Sequence, residues 1–481
     1  MLIVAIPVLL VAAFFIPVMS LRHERFLDRF AVFSLLVAFV FVVLSAKYVI
    51  PQGMLVWGMS GWFPPIGIVI AIDALSYLMA LLVSGLCLAV GFFSMKYIKK
   101  RKGEYYALLL LLTAGMIGLS ITGDLFNMYV FLEIVSVACY SLTAWARTKE
   151  SLEGAFKYII IGSLGTSFVL IGIALLYGLT GTLTLADISS KISYSLEYFV
   201  PIALIVSGFF IKSALVPFYV WKPDAVQASI EPVGGIFSGV STAVGVYAVL
   251  RILFITGLLD FSWILIVFGL ASMVFGAIFA LVQDDLRRML AYSSISQIGY
   301  IFLALGLGPV GFTAGLFHLF NNALLKVLLF MCAGVVFYHT GVKDLNRLSG
   351  LGKSLPITMM CFFIGLLGII GIPGTNGFVS KFLIYISTWE INPLLTATAL
   401  IVSGLTLAYY LKAFSCIFLG PTNPRINIKE KTPKTMLVPM IFLAFLSVVI
   451  GIYPDIVMIL IESAKLSLLN LNGYISTVLS H

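Results

Sequence analysis

Charged residues are scarce in this sequence, and their scarcity excludes a water-soluble protein with an ordinary core. Only 10% of the 481 residues are charged, whereas 61% are hydrophobic. Soluble globular chains carry about 25% charged and about 45–50% apolar residues, so this composition belongs in a lipid bilayer. The N-terminal stretch lacks the basic region and the small-residue cleavage site of a signal peptide, so we expect it to form a retained first span.

Residues that hold cofactors are equally scarce. The cysteines lie inside apolar runs without the paired spacing of a metal site: Cys87, Cys139, Cys332, Cys361 and Cys416. Only four histidines are present, too few for two facing pairs that would hold haem, and no phosphate-binding glycine loop occurs. We therefore expect no cofactor, no metal and no catalytic centre in this chain. Whether it serves a redox enzyme stays open, because partner subunits would have to carry that chemistry.

Long apolar runs are what the sequence has in abundance. Fourteen candidate helices of about 20 residues are centred near residues 11, 39, 80, 113, 136, 167, 209, 244, 272, 298, 326, 366, 407 and 444. Pro217 interrupts the run around Lys212, and the segment GIPGTNG (Gly371 to Gly377) interrupts the run near residue 366. Interrupted spans in both halves are typical of transporters built from repeats. The pattern predicts an all-α polytopic membrane protein that forms one membrane domain over residues 1–481.

Basic residues are distributed unevenly between the two sets of connections. Connections after odd-numbered helices hold 21 Lys and Arg residues, including Lys222, whereas those after even-numbered helices hold only Lys47 and Lys191. Because positively charged loops stay on the cytoplasmic side, this asymmetry predicts that both termini face outward. It also explains most of the net charge of +9, which is therefore no argument for nucleic-acid binding.

Few ionisable residues fall inside the spans, and these are the candidate functional residues. The deep ones are Lys212, Lys326, Lys381 and Glu133, with Asp73 as a shallower acid. A charge near the bilayer centre costs about 2.5–3.5 kcal/mol on insertion scales, so such residues usually have a function. The remaining basic residues need less explanation: Arg251 and Lys412 are long enough to snorkel to an interface, and Lys465 lies in the tail after the fourteenth helix.

Each deep residue also has a purely structural explanation. A buried lysine can pair with one acid, and the four-residue spacing of His318, Asn322 and Lys326 suits a satisfied polar seam between helices. Carbonyls freed by the helix break would satisfy Lys381, and Asp73 is expected to be structural. However, three deep cations and one deep acid cannot all be neutralised by pairing. This imbalance favours a proton relay.

The relay hypothesis gives each residue a role. Burial disfavours the charged form of a lysine and a nearby carboxylate favours it, so Glu133 would control the charge of Lys212. Lys326 and Lys381 would be later stations. Polar side chains near them would support bridging water, namely Ser213, Ser238, Ser241, Thr242, Gln297 and His318.

Several long segments carry a family resemblance. The segments IKSALVPFYVWKPDA, DDLRRMLAYSSISQIGY, GLFHLFNNALLKVLLFMCAGVV and GIIGIPGTNGFVSKFLI resemble the antiporter-like membrane subunits of Mrp sodium/proton antiporters, respiratory complex I and membrane-bound hydrogenases. The segments GWFPPIGIVIAIDALS and TGDLFNMYVFLEI look most like the D subunit of the Mrp type. The resemblance implies fourteen helices in two inverted five-helix repeats, at residues 105–256 and 262–419, with broken helices 7 and 12. Residues 1–100 and 435–481 would form flanking helices.

The resemblance also implies which residues form the relay. The family positions are matched by Glu133, Lys212, His318, Lys326 and Lys381. Possible accessory residues are Asp73, Asp124, Ser238, Ser241, Arg251, Gln297 and Asn322.

The chain departs from the family pattern at several positions. Ala243 stands where the family commonly has a lysine on helix 8, and Asn322 replaces a second histidine on helix 11. Tyr219 and Gln227 stand where histidines are usual. Three consequences stay open at Ala243: hydrated hydroxyls bridge a gap of about 10 Å, Arg251 substitutes, or lateral transfer is weakened.

Three functions are compatible with these observations. The one that we expect is an ion-translocating subunit, for protons with or without sodium, in a multi-subunit Mrp antiporter or a related respiratory complex such as a membrane-bound hydrogenase. Its partners would be other membrane subunits, including further antiporter-like ones, and the lipid of a prokaryotic cytoplasmic membrane. The alternatives are a structural membrane-arm subunit with an impaired relay, and a free-standing secondary transporter. The spacing of the acidic residues establishes no sodium site.

Overall fold

The chain folds into a bundle of helices with one small β-sheet. The computed structural model describes residues 1–21, 26–62, 67–193, 195–257, 262–421, 428 and 431–480. Residues used in the sequence analysis that lie outside these ranges are Arg22, His23, Arg25, the part of the Mrp-like segment at 63–66, Arg425, Lys429 and His481.

The helices are α1 (Leu2–Ser20), α2 (Leu27–Gln52), α3 (Ala74–Tyr97), α4 (Lys102–Ile121), α5 (Leu125–Ala144), α6 (Lys149–Thr180), α7 (Leu185–Lys191), α8 (Leu196–Ser213), α9 (Trp221–Ala228), α10 (Glu231–Gly235), α11 (Thr242–Ile255), α12 (Trp263–Leu281), α13 (Leu286–Gly306), α14 (Pro309–Thr340), α15 (Pro356–Ile370), α16 (Asn376–Ile391), α17 (Pro393–Phe418), α18 (Lys434–Ile452), α19 (Asp455–Leu469) and α20 (Leu471–Leu479). A π-helical segment, Ile236–Ser241, joins α10 to α11, and short 3-10 turns occur at Met59–Gly61 and Leu345–Arg347. The strands β1 (Met54–Gly58) and β2 (Val69–Asp73) pair antiparallel.

Most of these helices are membrane spans. Within the described ranges, thirteen helices are long and apolar enough to cross a bilayer, when α10, the π-helical segment and α11 are taken as the single helix Glu231–Ile255. The expected twelfth span is divided into α15 and α16, which are individually shorter. The prediction of an all-α polytopic membrane protein with about fourteen spans is therefore confirmed.

The first predicted interruption lies directly beside Lys212. Helix α8 ends at Ser213, and Ala214 then adopts a left-handed conformation with φ of 56°. The chain resumes as helix α9 at Trp221, whose indole Nε1 donates at 2.8 Å to the carbonyl of Ile211. The break thus frees backbone acceptors next to a buried lysine, and a neighbouring side chain takes up one of them.

The second interruption lies beside Lys381. Helix α15 ends at Ile370 and α16 begins at Asn376, while Gly371 and Gly374 between them have φ of 91° and 90°. Glycine adopts this backbone conformation without the steric cost that a Cβ atom would add. Lys381 reaches back across the break and donates to the Ile370 carbonyl at 3.2 Å. Both breaks therefore bring a lysine and unpaired backbone together.

The two halves of the bundle share a series of matching features. Helices α6 and α14 are each 32 residues long, and a broken span follows each of them. Helices α5 and α13 are capped by the side chains of Asp124 and Asp285. Each capping residue forms an antiparallel bridge to a residue just beyond the long helix, Asp124 to Thr184 and Asp285 to Asp344.

Two parts of the fold were not expected from the sequence. The hairpin of β1 and β2 connects α2 to α3, and the stretch after α18 forms two helices that meet at 77°. Helix α19 packs against α3 and α14, and α20 packs against α7 and β1. Such short elements are missed by a search for apolar runs of about 20 residues.

Candidate functional site

Lys212 is buried, and hydroxyl groups hold its ammonium group. Its Nζ donates to Ser136 Oγ at 2.7 Å and to Tyr140 OH at 3.2 Å. Both partners lie on α5, one turn apart. Glu133 is half-buried one turn before Ser136 on the same helix, and no ion pair joins it to Lys212 in the described part of the chain. Its control over Lys212 stays a prediction.

Lys326 lies near the middle of α14 and is also held by hydroxyl groups. Its Nζ donates to Ser293 Oγ at 2.6 Å and to Tyr410 OH at 3.2 Å. Tyr409 OH donates to the same serine oxygen at 3.0 Å. The ammonium group is therefore enclosed by α13, α14 and α17, with no carboxylate in contact among the residues that the structure describes.

Lys381 completes the set of deep lysines. Its Nζ donates to Ser403 Oγ at 2.7 Å, in addition to the Ile370 carbonyl, and lies 4.6 Å from the centre of the Tyr300 ring. Tyr385 OH shares the Ser403 hydroxyl at 2.7 Å. The predicted hydrogen bond to a carbonyl freed by the helix break accounts for one of these contacts. The other contacts come from α13 and α17.

His318 connects the surroundings of Lys326 with those of Lys381. Its Nδ1 lies 3.0 Å from Ser380 Oγ, and its Nε2 lies 3.1 Å from Gln297 Oε1. Ser380 immediately precedes Lys381, and Gln297 lies one turn after the serine that holds Lys326. The structure thus brings these sequence-derived candidates into one polar layer between α13, α14 and α16.

Several buried polar atoms in this region are left without a partner. The Ser238 hydroxyl, the Gln297 amide nitrogen and the Asn322 amide oxygen form no hydrogen bond within the described part of the chain. Buried polar groups are nearly always satisfied by protein or by ordered water. These atoms are therefore suited to holding bridging water. Ser241, at the end of the π-helical segment, is half-buried close to Ser238 in sequence.

Asp73 and Arg251 form a buried ion pair. The guanidinium donates to both carboxylate oxygens, at 2.7 and 2.8 Å, and Asp73 also caps α3 by accepting from the Ser76 amide at 2.8 Å. The prediction that Arg251 snorkels to an interface is wrong, because its side chain is only 2% exposed. Lys412, by contrast, is about one-third exposed and pairs with Asp284 at 3.0 Å.

Asp124 lies just outside the spans, between α4 and α5. Its carboxylate accepts from the Asn127 amide at 2.7 Å and caps α5. Burial raises the pKa of Asp124 to about 6. This carboxyl group therefore gains and loses a proton near neutral pH, although its contacts are those of a helix cap.

Lys222, like Arg251, lies deeper than the sequence predicts. The pattern of basic residues predicts a cytoplasmic connection here, but Lys222 lies in the first turn of α9 and is completely buried. Its Nζ donates to Ser294 Oγ at 2.7 Å. The reason is that the chain after the break does not leave the bundle: α9 packs back against α6 and α13.

The hydroxyl partners of the lysines were also missed by the sequence analysis. They are Ser136, Tyr140, Ser293, Ser294, Ser403 and Tyr410. One signal was available for α13, since four polar residues within five positions (Ser293, Ser294, Ser296 and Gln297) are unusual in a span. This helix is buried along almost its full length, so those side chains face protein rather than lipid.

Comparison with known proteins identifies the family of this chain. Residues 122–406 match the family described as NADH:quinone oxidoreductase/Mrp antiporter, TM. The chain is 36% identical over 426 residues to the N subunit of the NADH-quinone oxidoreductase of Desulforudis audaxviator, and the match covers 82% of this chain and 84% of that protein. It is 30% identical over 463 residues to the D subunit of the Na⁺/H⁺ antiporter of Bacillus subtilis, covering 93% and 94%.

A solved structure is also similar over the whole length. A chain in the membrane-bound sulfane sulfur reductase, an archaeal respiratory membrane complex, superposes with a TM-score of 0.93 at 32% identity and covers 99% of both chains. The sequence match and the shared fold extend over the helices that carry Glu133 and the buried lysines. The protein belongs to the NADH:quinone oxidoreductase/Mrp antiporter transmembrane family.

Proposed function

We propose that this chain is an ion-translocating subunit of a multi-subunit membrane complex and carries protons along a row of buried lysines. The observation that carries this proposal is that Lys212, Lys326 and Lys381 are buried and donate to hydroxyl or carbonyl oxygens. Among the described residues, no carboxylate forms an ion pair with any of them. A buried ammonium without a counter-charge is costly, whereas a hydroxyl can hydrogen-bond to either protonation state of a lysine.

The proposed relay begins with Glu133 and Lys212 and continues to Lys326, His318 and Lys381. Glu133 modulates the charge of Lys212 as its distance changes, because a carboxylate favours the ammonium form. His318 passes protons between the two later lysines through its Gln297 and Ser380 contacts, with water at the unpartnered amide atoms. In this proposal Asp73 and Arg251 are structural, because each satisfies the other.

The proposed host is an Mrp-type antiporter or a related respiratory complex. The relatives support both, since one is a subunit of a sodium/proton antiporter and another is a subunit of an NADH-quinone oxidoreductase. In either case the partners are other membrane subunits, including antiporter-like ones, and any redox centre belongs to those partners. Mass spectrometry of the intact complex, purified through a tag on this chain, distinguishes the hosts by the presence or absence of iron–sulfur or nickel–iron subunits.

The proposed location is the cytoplasmic membrane of a prokaryotic cell, with both termini on the outer side. The asymmetry of basic residues supports this orientation. It persists when the buried Lys222 is left out of the count, since only Lys47 and Lys191 lie on the opposite side.

We also propose that residues 105–256 and 262–419 form two repeats of inverted orientation. The equal lengths of α6 and α14, the broken span after each, and the matching aspartate caps support this division. Because each repeat contains an odd number of spans, the second one starts on the opposite side of the membrane and is inverted relative to the first.

Proton translocation by the intact complex tests the proposed function. The complex is reconstituted in liposomes and energised by a sodium gradient, or by its own electron transfer if redox subunits copurify, while a trapped dye reports internal pH. We expect Lys212→Met to lower the rate at least about tenfold, as for the loss of a proton-transferring group. Lys100→Met, at an exposed lysine between α3 and α4, is the matched control and should leave the rate unchanged.

The same assay addresses the alternatives. A normal rate for assembled Lys212→Met would favour the structural membrane-arm subunit, in which the relay has decayed. Translocation by the isolated chain, without any other subunit, would favour a free-standing transporter.

A further inference from the structure

We propose that Lys222 is the central proton carrier of this chain and links Lys212 to Lys326. This inference rests on the proposed function and extends it to a residue that the sequence analysis placed in a loop. It also identifies a group that compensates for the alanine at position 243, where the family resemblance implies a lysine. Ala243 is buried on α11 and carries no polar group.

The surroundings of Lys222 do not neutralise its charge. The side chain is completely buried, and its Nζ donates to Ser294 Oγ. No ion pair in the described part of the chain includes Lys222. An isolated buried ammonium is costly, so a lysine kept here needs an explanation other than charge pairing.

The acids closest to Lys222 in the chain, Asp224 and Glu231, are already engaged. Asp224, in the same turn of α9, is bound by Arg288 at 2.8 Å and by Lys157 at 3.0 Å. Glu231, in the adjacent helix α10, accepts from Tyr97 OH and pairs with Arg287 at 3.5 Å. On α5 the acid is Glu133, which precedes the Lys212 contacts.

The helices packed against α9 also carry basic side chains, which cannot neutralise the positive charge of Lys222. On α13 they are Arg287 and Arg288, and on α6 Lys157 forms the ion pair with Asp224. Lys326 binds Ser293, the residue that precedes the Ser294 partner of Lys222. Lys222 therefore contacts a hydroxyl group and, among the described residues, no carboxylate, like the other buried lysines.

Lys222 and Lys326 donate to consecutive residues of α13. Ser294 Oγ accepts from Lys222 at 2.7 Å, and Ser293 Oγ accepts from Lys326 at 2.6 Å. Because the two ammonium groups bind consecutive residues, each disfavours the charged form of the other. Protonation of one lysine therefore promotes release from the other, as passage of a single proton along the row requires.

Lys222 and Lys212 flank the same helix break. Lys212 lies at the end of α8 and Lys222 at the start of α9. The Tyr158 ring is stacked on Trp221, the residue before Lys222, with centres 4.0 Å apart, and its centre is 5.9 Å from Lys212 Nζ.

Water has a suitable position near this step. The Ser238 carbonyl accepts from Ser294 Oγ at 2.7 Å, while the buried Ser238 hydroxyl has no partner in the described chain. That hydroxyl is a natural anchor for water beside Lys222.

The proposed transfer conserves protons at every step. Lys222 Nζ changes from amine to ammonium when a proton arrives from the Lys212 side through water. It returns to amine when the proton leaves toward Lys326. Each hydroxyl on the route accepts one proton and releases its own, so the serines carry no net charge afterwards.

The test uses the reconstituted complex and two substitutions of Lys222. Lys222→Met removes the proton carrier, whereas Lys222→Arg keeps the positive charge and the hydrogen-bond donors but cannot release its proton at ordinary pH. We expect both to lower proton translocation at least about tenfold at normal assembly of the complex. Lys100→Met is the control for loss of an exposed lysine.

The outcomes separate this inference from the proposed function. Full activity of Lys222→Arg with loss in Lys222→Met would assign a structural role to the positive charge and overturn the inference. Normal rates for both variants, with loss in Lys212→Met, would also overturn it but leave the proposed function intact. Normal rates for Lys212→Met as well would overturn both.

If the complex with Lys222→Met fails to assemble, the Ser294→Ala variant tests the inference instead. This variant keeps the lysine and removes its hydroxyl partner on the route to Lys326. Slower translocation in assembled Ser294→Ala supports the inference, and an unchanged rate overturns it.

Discussion

Two kinds of buried cation occur in this protein. Arg251 is locked to Asp73 by two hydrogen bonds at 2.7 and 2.8 Å, whereas the buried lysines are held by hydroxyl and carbonyl oxygens. A guanidinium keeps its charge under all ordinary conditions, but a lysine can lose its proton when it is buried. The choice of residue type and partner thus separates a structural ion pair from groups suited to proton transfer.

The structural role of the Asp73–Arg251 pair can be tested by removing one partner. We expect Arg251→Met to destabilise the protein by about 3–5 kcal/mol, because Asp73 would be left buried without its counter-charge. The double variant Asp73→Leu with Arg251→Met should recover part of this loss, since no charge then remains unpaired. The melting temperature of the purified complex measures both effects. An unchanged melting temperature for Arg251→Met would contradict the assignment.

The residues of the candidate site were only partly accessible from the sequence. Lys212, Lys326 and Lys381 stand out because a lysine in an apolar run is rare. Lys222 does not, since it follows a helix break and a proline and therefore resembles a loop residue. Its burial results from the packing of α9 and from Ser294, which lies 72 positions away in the chain.

At the scale of helices, the broken spans determine which hydrogen-bond acceptors the lysines can reach. The break between α15 and α16 leaves the Ile370 carbonyl free, and Lys381 uses it as an acceptor. The close approach of Gly371 to the Lys381 side chain makes this arrangement sensitive to substitution: a Cβ atom at Gly371 would lie 2.9 Å from Lys381 Cδ.

Gly371→Ala therefore tests the contribution of the second break. The substitution forces alanine into a backbone conformation with φ of 91°, at a cost of about 1–3 kcal/mol, and displaces Lys381. We expect slower proton translocation by a complex that still assembles. The matched control is Gly404→Ala in α17, where a Cβ atom meets nothing within 4 Å. Equal rates for the two variants would argue against a role of this break in positioning Lys381.

At the scale of the whole molecule, the distribution of charge predicts how the bundle is oriented. Exposed basic residues collect at one end of the spans, while the opposite connections hold Lys47 and Lys191. Lys191 pairs with Asp187 at 2.9 Å, which further reduces the positive charge at that end.

Labelling of introduced cysteines tests this orientation. We expect a membrane-impermeant maleimide to label Lys47→Cys on intact cells, because this exposed residue precedes the hairpin, which lies outside in the proposed orientation. Lys100→Cys, which is also exposed, should react only after permeabilisation. The native cysteines give little background, since four are buried and Cys416 is half-buried. Labelling of position 100 on intact cells would reverse the proposed orientation.

The sequence by itself determined the membrane class, the number of spans, both interruptions and three of the buried lysines. These features depend on local averages of hydropathy and on single residues that violate them, so a linear reading detects them. The hairpin and the helices α19 and α20 are too short for such an average, and they form because they pack against other elements.

Only the tertiary structure decided which charges are paired and which are not. Asp73 and Arg251 are 178 positions apart. Because they form an ion pair, Arg251 is not one of the unpaired buried cations. Lys222 joins the buried lysines because α9 folds back into the bundle. In both cases the partner comes from a distant part of the chain, and the cost of leaving a buried charge unsatisfied makes that packing decisive.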